Sequence, residues 1–427
     1  MKSSDLKYKN YIEILKEELV PAMGCTEPIS IAYAAAKARE ILGCIPEKII
    51  IEVSGNIIKN VKSVIVPNTN RLKGIEASVA AGIIAGQAEK KLEVISEVTE
   101  DEKEMIKEYI ANYPIEVKLS DSPFIFDIQI NAFCKDSVVK VRIVNYHTNI
   151  ILIEKDREIL FIKDANTSKE EGLTDKTLLN VEDIIDFANS VEISDIEDII
   201  GKQIECNSKI AEEGLKNRHG ANIGSVLLST YGSDVKVRAK AKAAAGSDAR
   251  MNGCELPVII ISGSGNQGMT ASLPVIEYAD ELKVSKEKLY RALVISDLVT
   301  IHQKTGIGRL SAYCGAISAG AGSGAGIAYL YGGGYKEISH TIVNALSIVS
   351  GIVCDGAKAS CAAKIAAGVD AGILGYHMFK EGQQFKGGDG IVKKGVEATI
   401  YNVGKLAKEG MKETDKEIIK IMIGEWV

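Results

Sequence analysis

Hydrophobic and polar positions change rhythm twice along this chain. Over residues 5 to 20, apolar side chains recur at Leu6, Tyr11, Ile12, Leu15 and Val20, a helical stripe that Pro21 ends. Thr26 suits an N-cap, with Glu27 and Pro28 in the first turn of a helix that IAYAAAKAREIL carries to Gly43. Around Cys44 to Pro46 the texture changes. KIIIEVSGNIIKNVKSVIVP is rich in β-branched residues and partly alternating, which predicts strands, and Pro67-Asn68-Thr69-Asn70 predicts a turn before the helix GIEASVAAGIIAGQAEKKL. Strands are also predicted at Glu93 to Ser96 and Ile115 to Leu119. Alternation through FIFDIQINAF, SVVKVRIVNYHTNIILI and REILFI predicts an antiparallel group with helices on one side. From Asp175 onward the helical period takes over, in segments such as LLNVEDIIDFANS, KLYRALVISDLVTIHQ and EATIYNVGKLAKEG, and no heptad persists. The expected fold is α+β: an all-α domain built from N-terminal helices (1–44) and residues 175–427, interrupted at 45–174 by an inserted α+β domain with a mainly antiparallel sheet.

Composition narrows the partners. At 427 residues the chain is long enough for two full cores, and 25% charged with 46% hydrophobic residues describes an ordinary soluble protein. The net charge is -6 and no Lys/Arg cluster stands out, so neither nucleic acid nor an anionic membrane is expected as a partner. MKSSDLKYKN has no apolar signal core, which points to the cytoplasm. Eight cysteines in such a chain argue for thiols or metal ligands over disulfides. No charged residue lies between Arg309 and Lys336, yet that stretch is mostly Gly, Ala and Ser, which favours a closely packed buried helix over a membrane span.

Candidate chemistry concentrates between Ser311 and Lys364, which holds Cys314, Cys354 and Cys361. With Ser311 as N-cap, Cys314 would lie in a first helical turn, where the macrodipole favours a thiolate. On one unbroken helix Cys354 and Cys361 would be about 10.5 Å apart along the axis. Asp355-Gly356 predicts a break instead, with Cys354 ending one helix and Cys361 early in the next. Three thiolates meeting at one point fit iron-sulfur ligation and fit zinc poorly, since no CxxC pair is present. By spacing alone, inert cysteines in Ala/Gly-rich helices fit better still. Cys25, just before a helix N-terminus, is placed for a lowered pKa and an exposed thiol, although a turn cysteine without a role fits that position too.

Other candidates could bind an anion. Ser262 to Gly268 reads SGSGNQG, a loop whose backbone N–H groups can turn around an anion while Ser264, Asn266 and Gln267 add side-chain hydrogen bonds. A carboxylate fits there; so does a phosphate, and so does a plain tight turn. Arg250 closes an Ala-rich helix, where it either clamps a carboxylate or neutralises the helix end. His147 and His302 are possible bases, though lone histidines are usually structural. Cys44, Cys134, Cys206 and Cys254 read as structural.

Four motifs standing in one order then carry a resemblance across nearly the whole chain: Pro21-Ala22-Met23-Gly24-Cys25-Thr26-Glu27-Pro28, Ser262-Gly263-Ser264-Gly265-Asn266-Gln267-Gly268, Cys314-Gly315-Ala316, and Cys354-Asp355-Gly356-Ala357-Lys358 with Cys361. They resemble the L-cysteine desulfidase family, which is related to the alpha region of the iron-sulfur L-serine dehydratases. The resemblance implies that Cys314, Cys354 and Cys361 hold a four-iron, four-sulfur (4Fe-4S) cluster in the all-α catalytic domain. It also implies that Cys25 lies at the site as base or displaceable fourth ligand. The implied activity is that of a lyase in amino-acid catabolism, converting L-cysteine to pyruvate, ammonia and hydrogen sulfide; a homodimer is entertained as its assembly. The related serine dehydratases use a cysteine at the chain end, whereas this chain ends Gly424-Glu425-Trp426-Val427, a departure that disfavours serine. Serine dehydration with the same cluster, a pyridoxal-phosphate dehydratase and a non-catalytic helical metal-binding or scaffold protein are the alternatives.

Overall fold

The fold is that of a computed structural model, which describes residues 1–165 and 173–424. The chain opens with α1 (Leu6–Glu18), β1 (Pro21–Met23) and α2 (Thr26–Leu42), followed by β2 (Lys48–Val53), α3 (Gly55–Val61), α4 (Gly74–Ala85) and α5 (Glu100–Asn112). Strands β3 (Ile115–Leu119), β4 (Asp127–Cys134), β5 (Ser137–Val144), β6 (Ile150–Lys155) and β7 (Glu158–Ile162) come next. After α6 (Val181–Ser190), α7 (Ile193–Lys216), α8 (Ile223–Tyr231) and α9 (Val235–Met251), the short β8 (Pro257–Ile259) leads to α10 (Gly265–Leu282), α11 (Lys286–Ile307) and α12 (Gly315–Leu330). The described chain closes with α13 (Tyr335–Val349), α14 (Cys361–Lys380), α15 (Val396–Lys405) and α16 (Lys412–Ile423).

This is an α+β fold. Six strands form one sheet in the order β3-β2-β4-β5-β6-β7, and the sheet is antiparallel except between β2 and β3. Alternate residues of β4 are buried, as a sheet covered on one face requires, and α2 packs against β4 and β5. Two strand predictions fail. Glu93 to Ser96 ends a 3-10 turn, and Gly55–Val61 is helical because Ile57 and Val61, four apart, bury one face within β-branched text. Cys44 and Cys134 are joined as a disulfide, against the expectation of free thiols, since the strand edge where the Glu47 amide donates to the Phe133 carbonyl (2.7 Å) brings their segments together.

The uncharged stretch after Arg309 becomes α12, packed by α10, α11, α13 and α14. Small residues make that crowding possible. A Cβ built on Gly320 would lie 2.3 Å from the Gly368 carbonyl oxygen, and one on Gly372 would lie 2.2 Å from that of Gly320. No helix among the described residues is long and apolar enough to cross a membrane. Gly320→Val is therefore expected to destabilise the chain by more than the usual overpacking cost of about 1–3 kcal/mol, because the obstructing atoms are backbone; a urea melt checks this.

Inside this helical layer Asp297 is wholly buried and accepts a 2.9 Å hydrogen bond from the Gln203 amide. Burial pushes its carboxyl up to about 8, with the Gln203 bond pulling the other way. The folded state thus holds a proton that the unfolded chain releases near pH 4, so stability falls as pH rises from about 4 to 8. Asp297→Asn is expected to flatten that part of the pH–stability curve in denaturant melts.

Candidate active site

Two short pairings bring distant motifs to one place. β1 runs antiparallel to β8 with Pro21 opposite Ile259, which sets the start of α2 beside the SGSGNQG loop. Thr26 Oγ1 locks the contact by donating to the Gly263 carbonyl at 2.6 Å. Gly24 (φ +54°) makes the turn, and a Cβ there would meet Pro67 Cγ at 2.4 Å. The second pairing is a bridge between Tyr313 and Val353: the Cys314 amide donates to the Ile352 carbonyl (3.2 Å) and the Cys354 amide to the Ala312 carbonyl (2.6 Å). Thus Cys314 and Cys354 are neighbours although forty positions of chain separate them.

The loop after Cys354 then returns Cys361 to the same point. Gly356 turns at φ +92°, so tight against α3 that a Cβ would lie 2.1 Å from the Lys59 carbonyl oxygen, and the Cys361 thiol donates to the Gly356 carbonyl at 3.6 Å. Asp355 pins the turn through Lys358 (2.6 Å) and through Lys364, whose Nζ also reaches the Val353 carbonyl (2.8 Å). Burial alone would raise the Asp355 carboxyl, but the two lysines hold it at about 2. Asp355→Asn is expected to loosen the Cys354–Cys361 loop without unfolding the chain, seen as faster thiol labelling of both cysteines.

Cys25, Cys314, Cys354 and Cys361 all line one cavity, together with Arg250, Ser264, Asn266 and Gln267, so the cysteines, the arginine and the Gly-rich loop predicted from sequence border the same space. Its volume of about 100 Å³ compares with roughly 10–15 Å³ needed for one water on the same measure. Ser264 is the N-cap of α10, and its hydroxyl accepts from the Gln267 amide at 3.5 Å. Arg250 Nη1 donates to Asn266 Oδ1 at 3.1 Å, while Arg250 Nε and Gln267 Oε1 are buried without hydrogen-bond partners among the described residues. The guanidinium lies over the Gly265 backbone, where a Cβ would meet Nε at 2.4 Å. An arginine and the N-terminus of an 18-residue helix thus face the cavity together, an arrangement suited to an anion.

Several local expectations change. Cys25, not Thr26, is the N-cap residue of α2, and its thiol is 1% exposed, walled by Val64, Met251 and Ala357. Burial pushes that thiol up to about 12 rather than down, overriding the helix N-terminus. Cys314 is the N-cap of α12 rather than a first-turn residue, and burial, then the neighbouring Cys354, raise its thiol to about 12 as well. Cys354 lies in the loop after α13, which ends at Val349, while Cys361 opens α14 as expected. His302 is paired with Glu397 (2.7 Å) and does not line the cavity.

The cavity also takes residues that the motifs did not single out for this role. Glu27 accepts from Asn60 (3.0 Å), its other oxygen lies 3.2 Å from Thr26 Oγ1, and burial raises its carboxyl. His147 arrives on the β5–β6 connection, held where its carbonyl accepts from Ser30 Oγ at 2.6 Å, and burial lowers its imidazole to about 3. Arg309 donates to Glu18 at 3.2 Å. Lys304 is 4% exposed; burial lowers its ammonium to about 8, with the sulfurs of Cys354 and Cys314 opposing. A lysine following VISDLVTI, a run buried throughout, was the available signal.

Among the described residues, no three His, Cys, Asp or Glu side chains are close enough to share a single metal ion.

Comparison with known proteins follows the same lines. Residues 89–420 match the family described as serine dehydratase alpha chain. A UPF0597 protein of Desulfitobacterium hafniense (strain Y51) is 67% identical over 425 residues, covering 100% of this chain and 99% of its own. UPF0597 proteins of Lachnoclostridium phytofermentans and Treponema denticola are 55% and 50% identical, covering 97% and 98% of this chain and 100% and 98% of their own. With its matched residues spanning both cysteine loops and the Gly-rich loop, this chain belongs to the serine dehydratase alpha chain family, alongside the UPF0597 proteins.

Proposed function

We propose that this protein is a carbon–sulfur lyase that eliminates sulfide from L-cysteine, giving pyruvate, ammonia and hydrogen sulfide. A 4Fe-4S cluster would be held by Cys314, Cys354 and Cys361. The observation that carries the reading is that four cysteines from three separate segments line the cavity that also contains Arg250 and the start of α10. When bound, such a cluster supplies Lewis acidity toward the substrate's leaving group.

The chain's own residues supply the rest. Arg250, Asn266 and the free amides at the start of α10 hold the substrate carboxylate, with Gln267 and Ser264 shaping that end of the cavity. Cys25, its thiol 3.6 Å from Met251 Sδ, is the sulfur we assign to cap the site until substrate arrives. Burial of the cavity wall limits water, which strengthens each of these charge interactions. The same chemistry suggests that residues 1–44 and 175–427 form the catalytic unit, with the 45–174 insertion contributing Asn60 and His147.

The family match favours one second reading, L-serine dehydration at the same site, which differs only in the leaving group. Protein purified and assayed without oxygen separates the two. Sulfide and pyruvate from L-cysteine at a kcat/KM at least about tenfold above that for L-serine is the expected result, a 1.4 kcal/mol preference. Pyruvate from serine alone would establish the second reading, and turnover of neither amino acid by cluster-containing protein would remove both.

A further inference from the structure

The six-stranded sheet has two outer edges, and they differ. β3 ends it on one side with Glu116 and Lys118, both about half exposed, and charged side chains of this kind keep an edge from pairing with other chains. β7 ends it on the other side without that protection. Every residue of Glu158–Ile162 is exposed, and the large apolar Ile159, Leu160, Phe161 and Ile162 stand between 44% and 68% exposed. Leu160 is an extra residue in the pairing with β6, which bends the strand without adding charge. Among the described residues no strand pairs with the outer side of β7, so a row of backbone donors and acceptors beside apolar side chains is open to another strand.

The apolar surface continues from this edge into a groove of about 410 Å³ bordered by Tyr146, Ile150, Ile153, Phe161 and Lys163. Residues 166–172, which come soon after β7 in the chain, read NTSKEEG and bring no large apolar side chain to cover it. The charges at the two ends of the strand point to what does. Glu158 opens β7 and Lys163 follows its last residue, and among the described residues neither is in an ion pair. A second β7 laid parallel would set Glu158 against Glu158. Laid antiparallel about a two-fold axis, each Glu158 comes beside Lys163 of the second copy, and the apolar residues between them meet.

We infer that the outer edge of β7 docks a second copy of this chain, strand against antiparallel strand, so that two six-stranded sheets join into one. Two five-residue strands alone bury less than the roughly 1,200 Å² of a stable interface, so apolar side chains of the second copy also enter the groove at Ile150, Ile153 and Phe161. The inference does not depend on the reaction assigned to the cavity. It does reach that cavity, because one connection borders both spaces: Tyr146 and Thr148 line the groove while His147 lines the cavity with the cysteines. A filled groove braces the segment that presents His147.

The test compares the full chain as wild type, Ile162→Lys, Glu158→Lys, Lys163→Glu and the double reversal Glu158→Lys/Lys163→Glu by sedimentation velocity over a concentration series. Wild type is expected to pass from monomer to dimer within about 1–100 µM, the range open to an interface of modest size. Ile162 is the most exposed of the four apolar residues, so Ile162→Lys is expected to keep the far-UV circular dichroism of wild type while weakening the dimer at least about tenfold. Each single charge reversal sets like charges together and is expected to weaken the dimer about threefold or more, whereas the double reversal restores it to within about twofold. Hydrogen exchange at residues 158–163 is expected to slow as wild-type concentration rises, while that at 115–119 on the opposite edge stays constant. A wild type that remains monomeric, a dimer indifferent to Ile162→Lys, or a double reversal as weak as the singles overturns the inference. A monomer whose β7 amides already exchange slowly would place another segment of the same chain on the edge, and overturns it too. Should Ile162→Lys fail to fold, the charge series decides alone.

Discussion

Alanine in place of Cys314, Cys354 or Cys361 is expected to leave a folded chain that binds no stable cluster and releases sulfide only at background. The three sulfurs come from two loops held independently of any metal. The Tyr313–Val353 bridge fixes Cys314 beside Cys354, and the Gly356 turn, braced by Asp355, Lys358 and Lys364, sets Cys361. Since backbone bonds make that frame, removing one sulfur takes away a ligand without collapsing the loop. Cys314 is nearly buried, so its alanine variant loses some packing, and a cost of about 1 kcal/mol is expected there. Far-UV circular dichroism should be unchanged in all three, while iron per chain falls. Cys206→Ala and Cys254→Ala, whose sulfurs lie outside the cavity, are the controls and should keep full iron. Full iron and full sulfide release in each of the three single variants would leave the proposed ligand set without support.

The same site shows how far a sequence reaches. The Gly-rich loop, the cysteines and Arg250 were legible because each needs a particular residue type at a particular turn, and such positions stand out in text. What surrounds them was not. Cys25 does sit at a helix N-terminus, yet Val64, Met251 and Ala357 close over it from segments far along the chain, and their burial outweighs the local dipole. Cys314 and Cys354 are placed by a single bridge between irregular segments, which has no periodicity to read. Gly55–Val61 was mistaken for strand because β-branched residues can also bury one helical face when spaced four apart. Lys304 escaped notice for a related reason: a lone charge in a helix reads as solvated until the packing around it is known.

Arg250→Lys is expected to raise the KM for L-cysteine by about 10- to 100-fold while changing kcat less and leaving cluster content intact, as follows from losing charged hydrogen bonds of about 1.5–3 kcal/mol. Lysine keeps the charge but not the fork. In the structure Nη1 donates to Asn266 Oδ1 and, among the described residues, Nε is buried with no hydrogen-bond partner, so the guanidinium lies against Gly265 with donor capacity to spare. That placement depends on glycine. A Cβ at residue 265 would lie 2.4 Å from Nε and 2.8 Å from Cζ of Arg250 and 2.5 Å from Val258 Cγ2, so Gly265→Ala must push the arginine and the valine aside even though the chemistry of Arg250 is untouched. The two variants therefore share a cause and should share a phenotype, weakened binding of cysteine and of any amino-acid carboxylate. The double variant should be little worse than either alone, because both remove one interaction. Additive losses in the double variant, or a Gly265→Ala enzyme with native KM, would separate Arg250 from the carboxylate and leave only the α10 amides to hold it.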